Sequence, residues 1–556
     1  MQLHMQLQGV IELHGARQVL MCPDRQVLEV HETTFIPGDI AVWAGGVTRL
    51  VKRTPQKCIA VVVAVTEKAT LFVLNFGPTC PFRLTLPAAG YQVGDRLVID
   101  LREDGSFDWV SAYNADPKYD VPCLLEMYKC PRRARAETVV GRPLYTQPWV
   151  DHTDLATFTI DPTSSVDFDD AISVDVAANT IYVHIVDIAN QRLAARSIER
   201  LQNECYTLYL ANEHTEHLLE AKEASCDLSL VVGQDRQVIT VKIVLEDGCV
   251  SSYDIYTSTI RVKERFDYQT VASMLVGGRE DFAYLARLTE QRNADVNYSI
   301  SLPSVRILSD KTGNVTSVAL EETNDAAHSL VATAMILANL TVSKHLSDAG
   351  LVLPNRFHET LHGIRVPADF VSTGNIHVDS FIKVKRYARA CYAIDKKGHF
   401  GLGLEEYVHF TSPMRRYADV IVHRILAGHY YTDLETEVLW LNQRASLVKS
   451  AHDIYMGWKK VRWLKSLPGP HEIWVTGVSK AGILWFMPSL SMNGFIHIST
   501  LEPKQFWTYD KDTLFGLQES IRVGDKLMGR LVKIDETGIH MVANAAAAAT
   551  ATGSVQ

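Results

Sequence analysis

The pattern of apolar and polar positions changes along the chain, so that strand-like and helix-like regions can be distinguished. Before residue 120 the sequence holds short apolar runs, such as 59–65 and 70–74, which are separated by turns and sustain no helical period. Residues 432–466 favour a helix, a Pro-Gly-Pro triplet then breaks the chain, and residues 471–543 return to strand-like runs. This pattern predicts small β-domains on both sides of a mixed central region.

The stretch 159–170 places four carboxylates next to a strand-like run. They are Asp161, Asp167, Asp169 and Asp170. Like charges about 4 Å apart repel by about 4 kcal/mol at an effective dielectric of 20, so a folded site that keeps all four ionised needs a cation. Oxygen-only ligation favours Mg2+, Mn2+ or Ca2+ over zinc. The pattern argues against an EF-hand, because Val166 stands where that loop needs glycine and Ile172 where it needs glutamate. A solvated acidic turn is the open alternative.

Residues 409–424 favour a loop that enters a helix. Ser412 suits the N-cap and Pro413 the first helical position. Apolar residues then recur at three- and four-residue spacing, at Met414, Tyr417, Ile421 and Ile425. Arg415 and Arg416 would lie in the first turn, where cations oppose the helix dipole but where phosphate binds. The pair therefore predicts an anion site, and the alternative is an arginine pair tied to acidic neighbours.

These two stretches resemble signatures of the ribonuclease II and ribonuclease R (RNB) exoribonuclease family. The first reads TIDPTSSVDFDDA from residue 159, and the second reads HFTSPMRRYADVIVHR from residue 409. Further matching pieces follow in the family's order, at 182–189, 205–210, 225–230, 258–263, 335–339 and 398–404. The resemblance spans about residues 150 to 430 and is specific, because several independent motifs coincide.

The resemblance implies a multidomain α+β protein. It places two tandem cold-shock-like barrels of the oligonucleotide-binding (OB) type first, then a central α/β RNB catalytic domain, and then an OB-type RNA-binding barrel. The predicted boundaries are 1–56 and 57–118 for the two barrels, 119–150 for a linker, 151–466 for the catalytic domain, 471–543 for the last barrel, and 544–556 for a disordered tail rich in Ala and Thr.

The resemblance also implies an activity, namely processive 3′-to-5′ hydrolysis of single-stranded RNA to 5′-mononucleotides by a magnesium-dependent, two-metal mechanism. Asp161, Asp167, Asp169 and Asp170 would hold Mg2+, with Mn2+ as the other metal considered. Asp169, Asp170 and Arg415 would be the catalytic residues. Arg415, Arg416 and Tyr209 would contact RNA, with Tyr209 stacking on a base; the alternative for Tyr209 is an aromatic on the core face of a strand.

Composition fits a reducing compartment. Nine cysteines without a CxxC pair fit neither a disulfide framework nor a zinc module. No run approaches the 18 to 20 uncharged apolar residues of a membrane span, and the first residues lack a secretory signal. We therefore expect a cytoplasmic monomer without a membrane partner, with organellar targeting left open. The net charge of −9 argues against RNA binding over the whole surface, so RNA binding would depend on a local basic channel. The candidate channel segments are 129–135, 383–387 and 459–465.

One departure from the family pattern concerns RNA clamping. Ala332 and Thr333 stand where many relatives carry a pair of glutamates. The sequence also leaves two other functions open, a catalytically inactive RNA-binding protein and a magnesium-dependent single-strand DNA exonuclease. The intact acidic quartet with Arg415 argues against the first, and no single motif reports the 2′-hydroxyl that would exclude the second.

Overall fold

A computed structural model describes the chain from Gln6 to Asn544, apart from short gaps. The gaps are 15–16, 22–26, 31–39, 45–46, 53–55, 67–68, 75–82, 88–89, 103, 105, 130–136, 294–300, 322–324, 360–371, 385–386, 503–504, 506, 511–512, 517–518 and 536–537. The predicted tail therefore lies almost entirely outside the described residues, and its disorder stays a prediction. Most of the basic segment 129–135 and part of 383–387 also lie outside them.

Two antiparallel sheets with the same strand order form the N-terminal part. The first contains β1 Gln6–His14, β2 Arg17–Met21, β3 Val27–Val30, β4 Ile40–Ala44 and β5 Val47–Lys52. The second contains β6 Gln56–Val65, β7 Ala69–Leu74, β8 Arg83–Pro87, β9 Arg96–Leu101 and β10 Phe107–Tyr113. In each sheet the first strand lies between the second and the fourth, in the orders β3-β2-β1-β4-β5 and β10-β9-β6-β7-β8. This repeat agrees with the predicted tandem OB-type units.

Strand β9 shows why the second unit also packs outward. Its alternate residues Leu97, Ile99 and Leu101 lie in the core of that unit. Val98 points to the other face and packs with Ile59 against the next helix, so almost the whole strand is buried. A strand buried on both faces favours consecutive apolar residues, and β9 has three of them at 97–99.

The predicted linker 119–150 is structured. It contains helix α1 Asp120–Tyr128, then β11 Thr138–Val140 and the start of β12 Thr146–His152. Cys123 and Leu124 of α1 are fully buried against the second sheet. The predicted linker thus contains regular structure, because helix α1 supplies apolar cover that the outer face of β9 needs.

The central domain is built on a seven-stranded mixed sheet. After β12 the chain forms β13 Phe158–Ile160, β14 Asp170–Asp175, β15 Thr180–Val186, helix α2 Ala195–Glu204, β16 Leu208–Leu210, β17 His214–Glu216, β18 Asp235–Glu246, β19 Cys249–Arg261 and β20 Glu264–Phe266. The sheet order is β12-β19-β18-β15-β14-β13-β20. The β12/β19 and β13/β20 pairs are parallel and the other pairs are antiparallel.

Helices cover one face of this sheet. The chain continues through α3 Tyr268–Gly277, α4 Glu280–Asn293, β21 Val305–Ser309, β22 Val315–Leu320, α5 Asp325–Asp348, β23 Asn355–Phe357, α6 Ile376–Val384, β24 Cys391–Ala393, α7 Tyr417–Leu426, β25 His429–Tyr431 and α8 Leu434–Ser466. Residues of α5 at helical spacing, including Leu330, Ala334 and Leu337, join the main core with α4 and α7. Within the described residues one helix, Ala326–Asp348, is long and apolar enough to cross a membrane, and 56% of the apolar 18-residue window within it is buried inside the protein.

Helix α8 ties the domains together. Its Lys459 is fully buried and lies 3.1 Å from the Asp120 carboxylate and 2.5 Å from Glu213. Asp120 also pairs with Arg96 of β9 and with Arg462. The segment 459–465 was a candidate for a basic RNA channel. For Lys459 this prediction is wrong, because Asp120 and Glu213 neutralise its charge in the protein interior.

The C-terminal domain is a third β-structure. Its strands are β26 His471–Ser479, β27 Gly482–Met487, β28 Met492–His497, β29 Thr508–Asp510, β30 Thr513–Phe515, β31 Ser520–Arg522, β32 Lys526–Asp535 and β33 Gly538–Asn544. A five-stranded sheet has the order β28-β27-β26-β32-β33, and a three-stranded sheet has the order β29-β30-β31. Trp485 is fully buried in the core of this domain. The predicted strand-rich region 471–543 agrees with these bounds.

Candidate active site

The acidic loop, residues 161–170, connects β13 to β14, which are neighbouring antiparallel strands. Asp161 follows the end of β13 and donates its backbone N–H to the carbonyl of Phe266 at 3.0 Å, whereas Asp170 begins β14. Between them, Phe168 is buried, and its N–H donates to the hydroxyl of Ser229 at 3.0 Å. Ser229 comes from the matching motif 225–230, so this motif holds the loop against the domain.

Three of the four carboxylates share one electrostatic environment. Burial raises the pKa of Asp161 to about 6 and the pKa values of Asp169 and Asp170 to about 7. Mutual repulsion adds to this, since Asp161 raises the pKa of Asp170, and Asp170 that of Asp169. In addition, Oδ2 of Asp161 is buried and has no hydrogen-bond partner among the described residues. The site therefore concentrates negative charge that its own side chains do not fully balance.

Asp167 is engaged differently. Its Oδ2 lies 3.1 Å from Nδ1 of His217. This hydrogen bond raises the pKa of His217, which favours the charged imidazolium as partner. The predicted quartet thus divides into three carboxylates that are coupled to one another and Asp167, which pairs with His217.

The segment before α7 folds differently from the prediction. The helix begins at Tyr417 instead of near Ser412, and Arg416 is extended and occupies the N-cap position. The physical reason is tertiary, because Arg416 forms an isolated bridge with Tyr206 and Tyr417 donates its N–H to the carbonyl of Cys205 at 2.8 Å. Residues 412–416 consequently form a turn, closed by the N–H of Arg416 on the carbonyl of Ser412 at 3.1 Å.

This arginine turn meets the acidic loop at Asp169. The backbone N–H of Met414 donates to Oδ1 of Asp169 at 2.8 Å, and Nε of Arg415 lies 3.5 Å from Oδ2. Arg415 also donates from Nη2 to the hydroxyl of Ser412 at 3.2 Å. Asp169 is 4% exposed, whereas the Arg415 side chain is 52% exposed. The guanidinium is therefore anchored on the carboxylate and still open to a bound anion.

Arg416 has a different environment. Its Nη2 donates to Oδ1 of the fully buried Asp419 at 2.8 Å. The alternative of an arginine tied to an acidic neighbour thus describes Arg416, and its contact with RNA stays a prediction. Arg415 and Arg416 are adjacent in sequence but are held by different carboxylates.

Tyr209 lies on the exposed side of a short strand beside this turn. It is 47% exposed, between the buried Leu208 and Leu210, which excludes a core-face aromatic. Burial of its hydroxyl end raises the pKa of Tyr209, and Arg415 acts in the opposite direction, which places the two side chains close together. The N–H of Thr207 donates to the carbonyl of Arg415 at 3.1 Å and fixes the strand against the turn.

Two further residues at the site were missed in the sequence. Arg265 donates to the carbonyls of the acidic loop, at 3.1 Å for Pro162, and its guanidinium lies 4.7 Å from the centre of the Phe168 ring. Tyr268 lies near the carboxylates, since burial raises its pKa to about 12 and the charges of Asp170 and Asp161 contribute. Neither residue belongs to a metal or nucleotide pattern; only their position just after the matching piece 258–263 could have pointed to them.

The departure at 332–333 is explained by packing. Thr333 is buried in α5 and accepts a hydrogen bond from the hydroxyl of Thr289 in α4 at 3.0 Å, whereas Ala332 is exposed. A glutamate at Thr333 would bury an unpaired charge at this helix contact. This face of α5 therefore serves the contact between helices.

The donor set of the three coupled carboxylates fits a hard divalent cation. It consists of oxygen alone, and it contains a buried oxygen without a partner on Asp161. In the described part of the chain, however, no three acidic, histidine or cysteine side chains already converge as a metal-binding group. Binding would therefore require rotation of the carboxylates towards the cation.

Comparison with known proteins places this geometry in a family. The model of the RNB domain matches residues 150–432, about half of the chain. The chain is similar to ribonuclease R of Aquifex aeolicus, with 27% identity over 77% of this chain and 68% of the relative, and to ribonuclease R of Chlamydia trachomatis, with 26% identity over 88% and 80%.

Solved structures agree on the fold. The apo form of Mycoplasma genitalium RNase R superposes with a TM-score of 0.74 at 20% identity, over 96% of this chain and all of that chain. Yeast Ssd1, described as a pseudonuclease, superposes with a TM-score of 0.68 at 14% identity, over 96% and 82%. The fold is thus found with and without nuclease activity. On the family match, which covers both the acidic loop and the arginine turn, the chain belongs to the RNB family of exoribonucleases.

Proposed function

We propose that the protein is a 3′-to-5′ exoribonuclease that hydrolyses single-stranded RNA processively to 5′-mononucleotides. Family membership and the relatives named ribonuclease R support this activity. A structural neighbour, Mycoplasma genitalium RNase R, has been captured with ribose-methylated single-stranded RNA and with double-stranded RNA, which supports RNA as the substrate class.

The contact between the acidic loop and the arginine turn carries the proposal. Asp169 receives the N–H of Met414 and lies beside Arg415, and Asp161 and Asp170 are coupled to it electrostatically. A site that had lost its chemistry would have no reason to keep buried carboxylates with raised pKa values, because ionising them destabilises the fold. This observation favours an active enzyme over an inactive RNA-binding protein.

Magnesium is the proposed cofactor, with Mn2+ as a substitute. Asp161, Asp169 and Asp170 would hold it, and Asp167 would join them if its carboxylate turned away from His217. When bound, such a cation neutralises the acidic group, activates water and stabilises the departing 3′ oxygen. Phosphate oxygens of the substrate would complete the coordination of a hard cation.

The chain's own residues supply positioning and charge. Arg415 presents a planar fork that can neutralise the non-bridging oxygens of the scissile phosphate. Met414 fixes one oxygen of Asp169 and leaves the other facing Arg415. The exposed ring of Tyr209 offers a stacking surface for a base beside that phosphate.

The compartment is inferred from the cysteines. Cys123, Cys226 and Cys249 are thiols outside any disulfide bond. This supports a reducing, cytoplasmic location. We propose a monomer, which light scattering coupled to size-exclusion chromatography would test.

The decisive experiment uses matched 5′-labelled RNA and DNA single strands with Mg2+. We expect progressive shortening of RNA from its 3′ end, release of 5′-mononucleotides, and loss of activity in EDTA that Mg2+ or Mn2+ restores. Random internal fragments would indicate an endonuclease, binding without cleavage an inactive protein, and equal degradation of DNA a nuclease without sugar selectivity. The Asp169→Asn variant controls for contaminating ribonucleases.

A further inference from the structure

Asp419 is a buried carboxylate that holds the arginine turn, residues 412–416, from the protein interior. It lies in the first turn of α7 and is fully buried. Its Oδ1 accepts two hydrogen bonds, from the backbone N–H of Ser412 at 2.8 Å and from Nη2 of Arg416 at 2.8 Å. One oxygen therefore holds both ends of the turn 412–416.

The residues held in this way are those that reach the acidic loop. The hydroxyl of Ser412 accepts from Nη2 of Arg415 at 3.2 Å, so fixing Ser412 also fixes the direction of that guanidinium. The N–H of Met414, in the middle of the turn, donates to Asp169. Asp419 is hydrogen-bonded to the arginine turn at Ser412 and Arg416, and its charge also raises the pKa of Asp169 in the acidic loop.

Stability alone does not account for this arrangement. Oδ2 of Asp419 and Nε of Arg416 are buried without hydrogen-bond partners among the described residues. Such atoms cost about 1 to 3 kcal/mol each, and a buried ion pair is often replaced by apolar residues without loss of stability. Local costs of this kind are typical of functional sites.

We propose that Asp419 is a positioning residue for phosphodiester hydrolysis, which acts through Ser412 and Arg416 to hold Arg415 and the Met414 N–H against Asp169 and the substrate phosphate. The inference rests on the proposed function, and it gives Arg416 a role below the site instead of a direct contact with RNA. It predicts a defect in turnover that is larger than any defect in binding.

The first test is Asp419→Asn, which keeps the side-chain volume and an oxygen that can accept from Ser412 but removes the charge. We expect kcat on single-stranded RNA to fall about tenfold or more with KM within about threefold of wild type. In a double variant with Arg415→Lys, the two effects should not multiply, because both act on the same guanidinium. Single-turnover measurements keep the slow variants within range.

A matched control is available in α6. Asp379 is also a buried acid in the first turn of a helix, and its Oδ1 accepts from the N–H of the preceding Thr373 at 2.9 Å. Asp379→Asn should lower the melting temperature about as much as Asp419→Asn does, because it removes the same kind of contact. Its kcat should stay within about twofold of wild type, because Asp379 lies outside the site.

A second variant separates folding from positioning. Arg416→Met combined with Asp419→Leu replaces the pair by apolar groups of similar size, so we expect it to fold, with a melting temperature lowered only by the lost acceptor of the Ser412 N–H, and still to lose kcat. Wild-type turnover of RNA tests the proposed function separately. If Asp419→Asn lowers stability and leaves kcat unchanged, or if its effect multiplies with that of Arg415→Lys, the positioning role is overturned.

Discussion

The backbone N–H of Met414 donates to the carboxylate of Asp169 at 2.8 Å, although the two residues lie 245 positions apart in the chain. This bond joins the acidic loop after β13 to the turn before α7. Because it uses a main-chain group, it fixes one carboxylate oxygen whatever side chain stands at position 414. The remaining oxygen lies 3.5 Å from Nε of Arg415. Orientation of the acid and presentation of the arginine therefore depend on one another.

Replacing Asp169 by asparagine tests the acidic group. The amide oxygen of Asp169→Asn can still accept from Met414, so we expect the fold to persist. The loss of the charged ligand should reduce hydrolysis by about two orders of magnitude or more. RNA binding should persist or tighten, because one negative charge facing the phosphate is removed. Gel-shift titration and single-turnover assays measure the two effects, and near-normal cleavage by a pure sample would refute the assignment.

Replacing Arg415 by lysine tests the geometry of the guanidinium. Arg415→Lys keeps the charge but loses the planar fork that can hold two phosphate oxygens. We expect kcat to fall by about tenfold to a hundredfold, with little change in the melting temperature because half of the side chain is exposed. Arg416→Lys serves as comparison, since its buried contact with Asp419 makes a loss of stability, together with a loss of turnover, the expected result there. Equal losses of stability and turnover in Arg415→Lys would indicate a structural arginine.

Much of this site could be predicted because its chemistry is local in the sequence. Asp161, Asp169 and Asp170 follow one another within a single loop, and four clustered carboxylates are costly without a cation. The arginine segment carried a similar signal. What the sequence could not fix was which partner each side chain would choose, since Asp167 finds His217 and Arg416 finds Asp419 only in the folded chain.

The errors have tertiary causes. The helix expected at Ser412 begins at Tyr417, because pairing of Arg416 with Tyr206 overrides the local capping preference. The predicted linker contains α1, which was not predicted from the sequence, because the outer face of β9 needs apolar cover. Lys459 appeared in a basic run that suggested an RNA channel, but Asp120 and Glu213 neutralise it from distant parts of the sequence.

The exposed ring of Tyr209 should contribute to substrate binding. Stacking of a base on an aromatic side chain is worth about 1 to 3 kcal/mol, so Tyr209→Ala should weaken RNA binding by about fivefold to 150-fold. Tyr209→Phe keeps the ring and should bind almost as wild type does, which separates stacking from the hydroxyl group near Arg415. Affinities are best measured in the Asp169→Asn background, where RNA is not consumed. If Tyr209→Ala binds RNA as tightly as the protein that carries Tyr209, the stacking role is excluded.

The raised pKa values of the acidic group predict an unusual dependence of stability on pH in metal-free protein. Burial raises the pKa of Asp161 to about 6 and those of Asp169 and Asp170 to about 7, against about 3.9 in an unfolded chain. The folded protein therefore binds more protons than the unfolded chain between these limits. The stabilising contribution is complete below about pH 4 and is lost as the pH rises through about 6 to 7.

In EDTA, Asp170→Asn should remove part of this loss. We expect the variant to show a smaller fall in melting temperature than wild type between pH 5 and pH 8, and a higher melting temperature at pH 8. Mg2+ should raise the wild-type melting temperature more at pH 8 than at pH 5, because protonated carboxyls bind the cation poorly. Asp175→Asn, an exposed position at the other end of β14, controls for the loss of a charge and should follow the wild-type curve. If the melting temperatures of wild type and Asp170→Asn depend on pH in the same way and Mg2+ has no effect, the carboxylates neither have raised pKa values nor bind the cation.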